Sequence, residues 1–215
     1  MFLSIKNVPK VSWSSNKPLN LKPKISTLFF LCFGLTLFGL GEGLLIVSAS
    51  GASPWSVLAQ GISLNVDYSI GVITLFISIG VLFFWIFLSQ KPGIGTILNA
   101  LIVAIMIDVC INLVPTPANY LSQILLAIFA VITVGLGAGI YLVANLGPGP
   151  RDGLMIGLQQ KTNLPIAMVR AVLEITVVSI GWYFGGTVGF GTLLFAFGIG
   201  PAVAFGLFIV KKIYT

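Results

Sequence analysis

Apolar residues dominate long stretches of this chain, and few polar positions interrupt them. Six stretches are long enough, at a helical rise of about 1.5 Å per residue, to cross the hydrocarbon core of a bilayer. We therefore predict six membrane-spanning helices, at residues 25–48, 69–88, 94–113, 120–145, 165–184 and 191–210. The pattern predicts an all-α integral membrane protein.

Two short segments rich in glycine and proline follow the first and the fourth predicted span. Proline is favourable at the first position of a helix because the N–H group that it lacks would have no partner there. We therefore predict that Pro54 and Pro150 open short helices. The glycines before them, Gly51, Gly147 and Gly149, let backbone or ligand approach closely, and the first-turn N–H groups favour an anion or a carboxylate.

The sequence repeats itself at an offset of 96 residues without a gap. Roughly a quarter of the positions from 39 to 100 are identical to their counterparts, several times more than chance gives for such a biased composition. Each copy, 25–113 and 120–212, holds three predicted spans. Because three is an odd number, the second copy must enter the membrane upside down, and we predict two inverted three-helix repeats, each with a short helix after its first span.

Glycine runs at 39–43 and 135–139 lie inside the first and the fourth span and allow two interpretations. Glycines at this spacing let a neighbouring helix pack closely. They could also mark the points where these spans stop or unwind, so that the following short helix re-enters the membrane. The sequence leaves both interpretations open.

Composition and charge agree with a membrane protein: 57% of the residues are hydrophobic and 7% are charged. The net charge of +6 does not indicate a nucleic-acid partner, because five of the eleven basic residues lie in the first 24 positions and most others lie in short loops after alternate spans. By the positive-inside rule we expect both termini to be cytoplasmic. Residues 1–24 are predicted to be a basic cytoplasmic arm, disordered or lying on the surface, that fixes orientation; a lipid or partner site is the alternative.

Histidine is absent, which removes the commonest general base and the commonest metal ligand. We expect no catalytic residue, no metal and no cofactor, and therefore no enzyme. Cys32 and Cys110 lie inside apolar runs and are predicted to pack rather than to pair. Trp55, Trp85 and Trp182 fall near span ends, where we interpret them as interfacial anchors.

Charged residues within apolar spans are costly and therefore point to structural or functional roles. Arg170 and Glu174 are one helical turn apart, so they can form a pair that locks their span in place, or a site for a substrate or a proton. Glu42 interrupts the first glycine run, and in a dry environment it could carry a proton. Asp108 lies nearer the outer boundary, where solvation is the simpler interpretation.

Four further polar residues stand at predicted helix starts. Arg151 and Asp152 open the second short helix, where they match the positive-inside rule and the helix dipole, or contact an anion at the mouth of a pathway. Thr96 and Thr192 begin the third and the sixth span. Each can satisfy backbone groups at the helix start or offer a hydroxyl group to a solute.

Several motifs keep the order and spacing of a known family. They are residues 146–155, the Arg170 and Glu174 pair, residues 181–186, residues 189–192, residues 199–201 and residues 92–99. Together they resemble the YczE/YyaS/YitT-like bacterial integral membrane proteins, and the resemblance covers roughly Gly39 to Pro201. It implies a multi-pass fold in a bacterial membrane and supplies no substrate.

These observations lead us to expect a secondary transporter or facilitator of a small polar, anionic solute. The expected substrate-binding residues are Glu42, Thr96, Arg151, Asp152, Arg170, Glu174 and Thr192. The expected partners are the solute and the lipid bilayer; coupling to protons or a cation and formation of a homo-oligomer are left open. The alternative is a non-transporting membrane scaffold or accessory protein, in which the charged pair only holds the bundle together.

Overall fold

The structure, a computed structural model, describes residues 8–214 of the 215-residue chain. These residues form eight helices and no strand. The helices are α1 (Ile25–Val47), α2 (Pro54–Ser63), α3 (Ile70–Phe87), α4 (Ile94–Leu113), α5 (Tyr120–Ala144), α6 (Pro150–Thr162), α7 (Ile166–Tyr183) and α8 (Phe190–Tyr214). All except α2 and α6 are long and apolar enough to cross a membrane. The predicted all-α fold with six spans and two short helices is therefore confirmed.

Helices α1 and α5 form the centre of the bundle and pack through glycine. A side chain on Gly34 would lie 2.7 Å from the backbone nitrogen of Tyr141, and one on Gly41 would lie 2.7 Å from that of Val134. The neighbours on α5 descend in number as α1 ascends, so the two helices are antiparallel. A methyl group at either glycine would force the helices apart, because the atom that it meets belongs to the backbone of α5 and cannot move aside as a flexible side chain could.

Both glycine runs are helical throughout and serve close packing. Gly39 faces Val103 of α4, and Gly139 faces Gly206 of α8, in each case at a distance that leaves no room for a side chain. The interpretation that the spans break at these runs is therefore wrong. Helix α1 instead ends at Val47, six residues beyond Gly41 and about 9 Å further along its axis, and the loop that follows turns back into the bundle.

Backbone hydrogen bonds recur at positions 96 residues apart, with the two halves exchanging roles. The N–H group of Gly95 donates to the carbonyl oxygen of Leu146 at 2.8 Å, and that of Gly191 donates to the carbonyl oxygen of Ser50 at 2.8 Å. Each bond joins the last long helix of one half to the loop before the short helix of the other half. Both loops are therefore held by the opposite half.

The backbone of these loops also repeats. Gly51 and Gly147 have φ angles of 118° and 109°, and Ala49 and Asn145 have φ angles of 53° and 52°. Angles near 110° are open only to glycine among the common residues. Both loops therefore require glycine at this position, which explains why the two halves have the same residue there.

Packing between the last two long helices differs between the halves. Helix α3 packs against α4, whereas the corresponding helices of the second half, α7 and α8, make no comparable contact within the described residues. Helix α7 is also the least buried of the six candidate spans. The second half is therefore more open than the first between its last two long helices.

The described part of the N-terminal segment, residues 8–24, packs against the ends of α1 and α5. Trp13 is 4% exposed, and its ring stacks on that of Phe30 with centroids 4.4 Å apart. The N–H group of Ser15 donates to the carbonyl oxygen of Ala144 at 3.0 Å. Of the two predicted forms, a segment lying on the surface of the bundle describes these residues better than a disordered arm. Lys6 lies outside the described residues.

Candidate binding cavity

A cavity of about 390 Å³ lies between the two halves, and residues from all eight helices line it. Equivalent positions of the two halves face it. Six pairs of lining residues stand 96 positions apart: Glu42 and Ala138, Trp55 and Arg151, Thr74 and Arg170, Ser78 and Glu174, Asn99 and Phe195, and Val103 and Ile199. The cavity is therefore a feature of the duplicated fold rather than a local packing defect.

The two sides of the cavity differ in charge. Among the described residues that line it, the first half contributes a single charged residue, Glu42, and the second half contributes Arg151, Asp152, Arg170 and Glu174. The structure thus brings together all five charged residues that the sequence selected as substrate-binding candidates. No single helix carries them, since they lie on α1, α6 and α7.

Glu42 is the most buried of these groups, at 1% exposure. Its Oε2 accepts hydrogen bonds from the hydroxyl groups of Ser53 and Ser56, each at 2.6 Å, at the start of α2. Its Oε1 has no hydrogen-bond partner. The serines and the positive end of the α2 dipole stabilise the carboxylate, and its second oxygen is free to accept a proton or a solute donor.

Arg151, in the first turn of α6, faces Glu42, which is bound at the start of α2. Its Nη1 lies 4.0 Å from Oε1 of Glu42, and its guanidinium lies 5.4 Å from the centre of the Trp55 ring. Burial lowers the pKa of Arg151 from its ordinary value, and the carboxylates of Glu42 and Asp152 oppose that change. At 4.0 Å the ion pair is loose, so Arg151 can bind another acceptor without first leaving a tight partner.

Asp152 follows Arg151 on α6 and accepts a hydrogen bond from the hydroxyl group of Tyr141 at 2.8 Å. Tyr141 is 4% exposed and also lines the cavity. Tyr141 is not among the residues predicted from the sequence, because a tyrosine in an apolar span resembles an ordinary packing or interfacial residue. Its only signal in the sequence is its position, two residues after the end of the second glycine run.

Arg170 and Glu174 pair directly, with Nε of the arginine donating to Oε1 of the glutamate at 2.8 Å. Both residues line the cavity, and the side chain of Arg170 is 44% exposed. The pair is therefore both mutually satisfied and accessible from the cavity. This geometry is compatible with either role that the sequence suggested.

Thr96 and Thr192 do not line the cavity but close the starts of α4 and α8. The hydroxyl group of Thr96 accepts from the N–H group of Gly93 at 3.1 Å and donates to the carbonyl oxygen of Pro148 at 2.7 Å. The hydroxyl group of Thr192 accepts from the N–H group of Gly189 at 3.3 Å. The helix-start interpretation therefore describes both threonines.

Pro54 and Pro150 begin α2 and α6 as predicted. Gly149 and Pro150 line the cavity, whereas Pro54, Gly51 and Gly147 shape the loops behind it. Asp108 is outside the cavity. It caps the start of α3 by accepting from the N–H group of Gly71 at 2.7 Å and from the hydroxyl group of Ser69 at 2.5 Å.

Two of the three tryptophans interpreted as interfacial anchors are buried, so that interpretation is wrong for them. Trp55 is 6% exposed and lines the cavity. Trp85 is 1% exposed, and its Nε1 donates to the carbonyl oxygen of Pro150 at 3.0 Å, which fixes the start of α6. Trp182, at 68% exposure, has the lipid-facing position expected of an anchor. Only the alignment of Trp55 with Arg151 could have indicated its place in the cavity.

Comparison with known proteins extends over most of the chain. Residues 25–207 match DUF6198, described as a family of unknown function. An uncharacterized protein of Haemophilus influenzae (strain Rd) is 36% identical over 209 residues, which cover 97% of this chain and 95% of that protein. The uncharacterized membrane protein YczE of Bacillus subtilis (strain 168) is 32% identical over 84% of this chain and 81% of its own length. YyaS of the same organism is 27% identical over 75% of this chain and 82% of its own length. No solved structure matches the chain.

Proposed function

The chain belongs to the DUF6198 family, and we propose that it is a secondary transporter or facilitator that moves a small polar solute with an anionic group across a bacterial membrane. The family resemblance inferred from the sequence motifs is confirmed for YczE and YyaS. The observation that carries the proposal is the cavity between the halves, because equivalent positions of both halves line it and five ionisable residues meet there. Ionisable groups within a membrane bundle are costly and typically mark the route of a solute or a proton.

The proposal includes an inverted-repeat architecture. Three candidate spans in each half, an odd number, require opposite orientations if all of them cross the bilayer. The reciprocal hydrogen bonds of Gly95 with Leu146 and of Gly191 with Ser50 support a two-fold relation, since exchanging the halves reproduces each bond. The cavity then lies near the middle of the bilayer, beside the starts of α2 and α6, where inverted-repeat transporters bind their solutes.

We also propose that both termini are cytoplasmic and that the membrane is the bacterial inner membrane. The described residues 8–24 carry four lysines, Lys91 follows α3, and the last turns of α6 and α8 carry Lys161 and the pair Lys211 and Lys212, whereas the linkers before α3, α5 and α8 have no basic residue. This asymmetry follows the positive-inside rule. A fluorescent-protein fusion at the C-terminus should be bright, and a phosphatase fusion at the same site should be inactive; the opposite pair of results would contradict the orientation.

The experiment that tests transport is flux into proteoliposomes that contain the purified protein. A labelled panel of monocarboxylates, amino acids, amines and phosphate is offered, and saturable uptake with counterflow is the expected result for at least one class. The matched control is the R170Q/E174Q variant, which loses the paired charges at the cavity wall while keeping similar side-chain volumes. Flux that is absent for every class, or that the variant leaves unchanged for the class transported, would contradict the proposal.

The alternative function, a membrane scaffold, is favoured by one observation: Arg170 and Glu174 satisfy each other. In a scaffold their only role is to hold α7 in place, and a pair of which one member is 44% exposed contributes about 1 kcal/mol or less to stability. The charge-swapped variant R170E/E174R separates the two functions. A scaffold tolerates the swap in both expression and cellular phenotype, whereas a transporter keeps expression and loses flux, because each charge has moved within the cavity.

A further inference from the structure

The two short helices begin in different electrostatic surroundings. The start of α2 receives the carboxylate of Glu42, which is bound by Ser53 and Ser56. The position equivalent to Glu42 in the second half, 96 residues on, is Ala138, which also lines the cavity. The first half therefore places a carboxylate from its first long helix at a helix start, whereas the second half has Ala138 at the corresponding position. The carboxylate that α6 carries in its own first turn, that of Asp152, accepts a hydrogen bond from Tyr141.

The start of α6 has groups that attract an anion. Its N-cap residue is Gly149, which has no side chain to accept hydrogen bonds from the first-turn N–H groups. Arg151 follows two residues later and faces the cavity. A helix start with free N–H groups and a guanidinium is suited to a carboxylate.

A second, independent observation points to a ligand at the same place. Oε1 of Glu42 is buried and has no hydrogen-bond partner within residues 8–214; the residue is 1% exposed and lines the cavity. A buried carboxylate oxygen without a donor is destabilising, because the hydrogen bonds that it made to water are not replaced. Oε1 lies 4.0 Å from Nη1 of Arg151, so a solute at the start of α6 can donate to it.

The charge of the cavity limits what kind of solute fits. The lining side chains comprise three carboxylates and two guanidinium groups, which leaves one excess negative charge among the described residues. A simple anion would add to that charge in a poorly solvated place, where like charges repel strongly. A solute that also carries an ammonium group leaves the charge unchanged and supplies the donor that Glu42 lacks.

We propose that the solute is a zwitterionic α-amino acid with an apolar side chain. This inference rests on the proposed transport function and names its substrate class. The carboxylate of the solute occupies the place beside Ala138, at the start of α6 and against Arg151, and its ammonium group donates to Oε1 of Glu42. Because both charged groups are bonded to one carbon, they can reach two protein groups that are 4.0 Å apart. The apolar side chain faces Phe38, Phe195 and Ile199.

Three compounds of similar size separate the contributions of the charged groups. Leucine has both groups, 4-methylpentanoate lacks the ammonium group, and 3-methylbutylamine lacks the carboxylate. We expect leucine to bind the purified protein at least about ten-fold more tightly than either analogue in calorimetry or thermal-shift titration. Equal binding of leucine and 4-methylpentanoate would overturn the ammonium assignment, equal binding of leucine and the amine would overturn the carboxylate assignment, and binding of none of the three would overturn the proposal.

The variant A138E tests the carboxylate place directly, because it attaches a carboxylate where the solute group should bind. We expect leucine affinity to fall by about ten-fold or more, with A138Q, which has the same side-chain length, causing a smaller loss. Equal losses in the two variants would overturn the assignment. If neither variant folds, E42Q provides the test: it should weaken leucine binding by about ten-fold, because the ammonium group loses its acceptor charge, and strengthen 4-methylpentanoate binding, because the cavity loses a negative charge. Equal losses for both compounds would overturn the proposal.

Measurements of binding and of flux distinguish a failure of the amino-acid assignment from a failure of the transport proposal. Leucine binding with the expected selectivity but without leucine flux in proteoliposomes would support the site and contradict transport. Saturable flux of another solute class, in a protein that does not bind leucine, would support transport and overturn the amino-acid assignment.

Discussion

At the scale of single residues, the charge balance of the cavity depends on Glu42. One oxygen of its carboxylate is held by two serine hydroxyl groups, and the other faces Arg151 without a hydrogen bond. Glu42 therefore serves two purposes: it stabilises the start of α2, and it compensates a guanidinium that is largely withdrawn from water. The other ion pair found within residues 8–214, Arg170 with Glu174, lies within a single helix and does not connect the halves.

The variant E42Q should lower the stability of the protein. Glutamine can still accept from the hydroxyl groups of Ser53 and Ser56, but Arg151 loses its nearest negative partner across the cavity. A loss of about 1–3 kcal/mol is expected, less than for a tight buried pair because the contact is 4.0 Å long. Thermal unfolding in detergent measures it. The double variant E42Q/R151Q should recover part of the loss, and a single variant as stable as the wild type would show that the pair contributes nothing.

Removing the hydroxyl group of Tyr141 tests the contact with Asp152. Y141F keeps the ring, which packs edge-on against Phe38 with centroids 5.9 Å apart, and deletes only the hydrogen bond of 2.8 Å. We expect stability to fall by about 0.5–1.5 kcal/mol. Y183F is the control, since Tyr183 is 84% exposed, and its melting temperature should not change. Equal melting temperatures for Y141F and the wild type would contradict the role given to this bond.

How far residues could be predicted depended on how unusual they are in an apolar setting. Glu42 and Arg151 were selected because a charge in or beside a membrane span requires a reason. Tyr141, Trp55 and Trp85 were missed or misread because aromatic residues also occur at membrane interfaces, and a single sequence does not show which face of a helix is buried. A hydrogen bond such as that of Trp85 with Pro150 joins residues 65 positions apart and leaves no local signal.

At the scale of elements, the two loops before the short helices determine the shape of the cavity. Each loop is fixed by a glycine with positive φ and by a backbone hydrogen bond from the last long helix of the other half. The loop before α6 is also held by the hydroxyl group of Thr96, which donates to the carbonyl oxygen of Pro148. Each loop is hydrogen-bonded to the opposite half and leads directly into a short helix. A substitution that distorts either loop should therefore displace the start of that helix.

Gly147 should therefore be intolerant of alanine. Its φ of 109° is strained for any residue with a side chain, and the added carbon would lie 2.8 Å from Oγ1 of Thr96. G147A is expected to lower stability by about 1–3 kcal/mol. Alanine at Gly80, which lies within α3 and has open space around it, is the matched control and should not lower the melting temperature. If both variants melt alike, the loop is not under the constraint described.

The sequence predicted where most helices begin and end, but it did not show whether α1 and α5 break at their glycine runs. Apolar run length gave both ends of five of the six long helices to within one residue, and proline position gave the first residue of each short helix, because both signals are local. The predicted end of the sixth span at 210 was wrong by four residues, since α8 continues to Tyr214. Whether α1 breaks at its glycine run or continues through it to Val47 was open to interpretation, since a glycine run is compatible with either a break or close packing. Contacts between distant glycines and their neighbours, such as Gly39 with Val103, settle this in favour of packing.

At the scale of the whole molecule, one asymmetry stands out against an otherwise repeated plan. Helices α3 and α4 pack together, and α7 and α8 do not, although all four occupy equivalent places in their halves. Helix α8 also contains Pro201, which removes one backbone hydrogen bond, beside Gly200, which has open space around it. These features make α8 the long helix best suited to bend.

If the halves form an inverted repeat, as proposed, the difference in packing between the α3–α4 and α7–α8 pairs implies a second conformation in which the two pairs exchange their packing. Exchanging the conformations of the two halves closes the gap between α7 and α8 and separates α3 from α4, which is how alternating access arises in such folds. Spin labels at Ile175 and Phe197, both exposed, would report the first distance. Labels at Ile79 and Leu101, their exposed counterparts 96 residues earlier, would report the second.

We expect electron–electron distance measurements in nanodiscs to reveal two populations whose distances change in opposite directions: the pair on α7 and α8 shortens while the pair on α3 and α4 lengthens. The bound solute should shift the populations, since a ligand moves an equilibrium only by binding one state more tightly than the other. E42Q should weaken that shift without abolishing the two populations, because it changes the cavity and leaves the helix packing intact. A single fixed distance for each pair, with and without solute, would favour the scaffold, in which the gap between α7 and α8 is a static feature facing lipid.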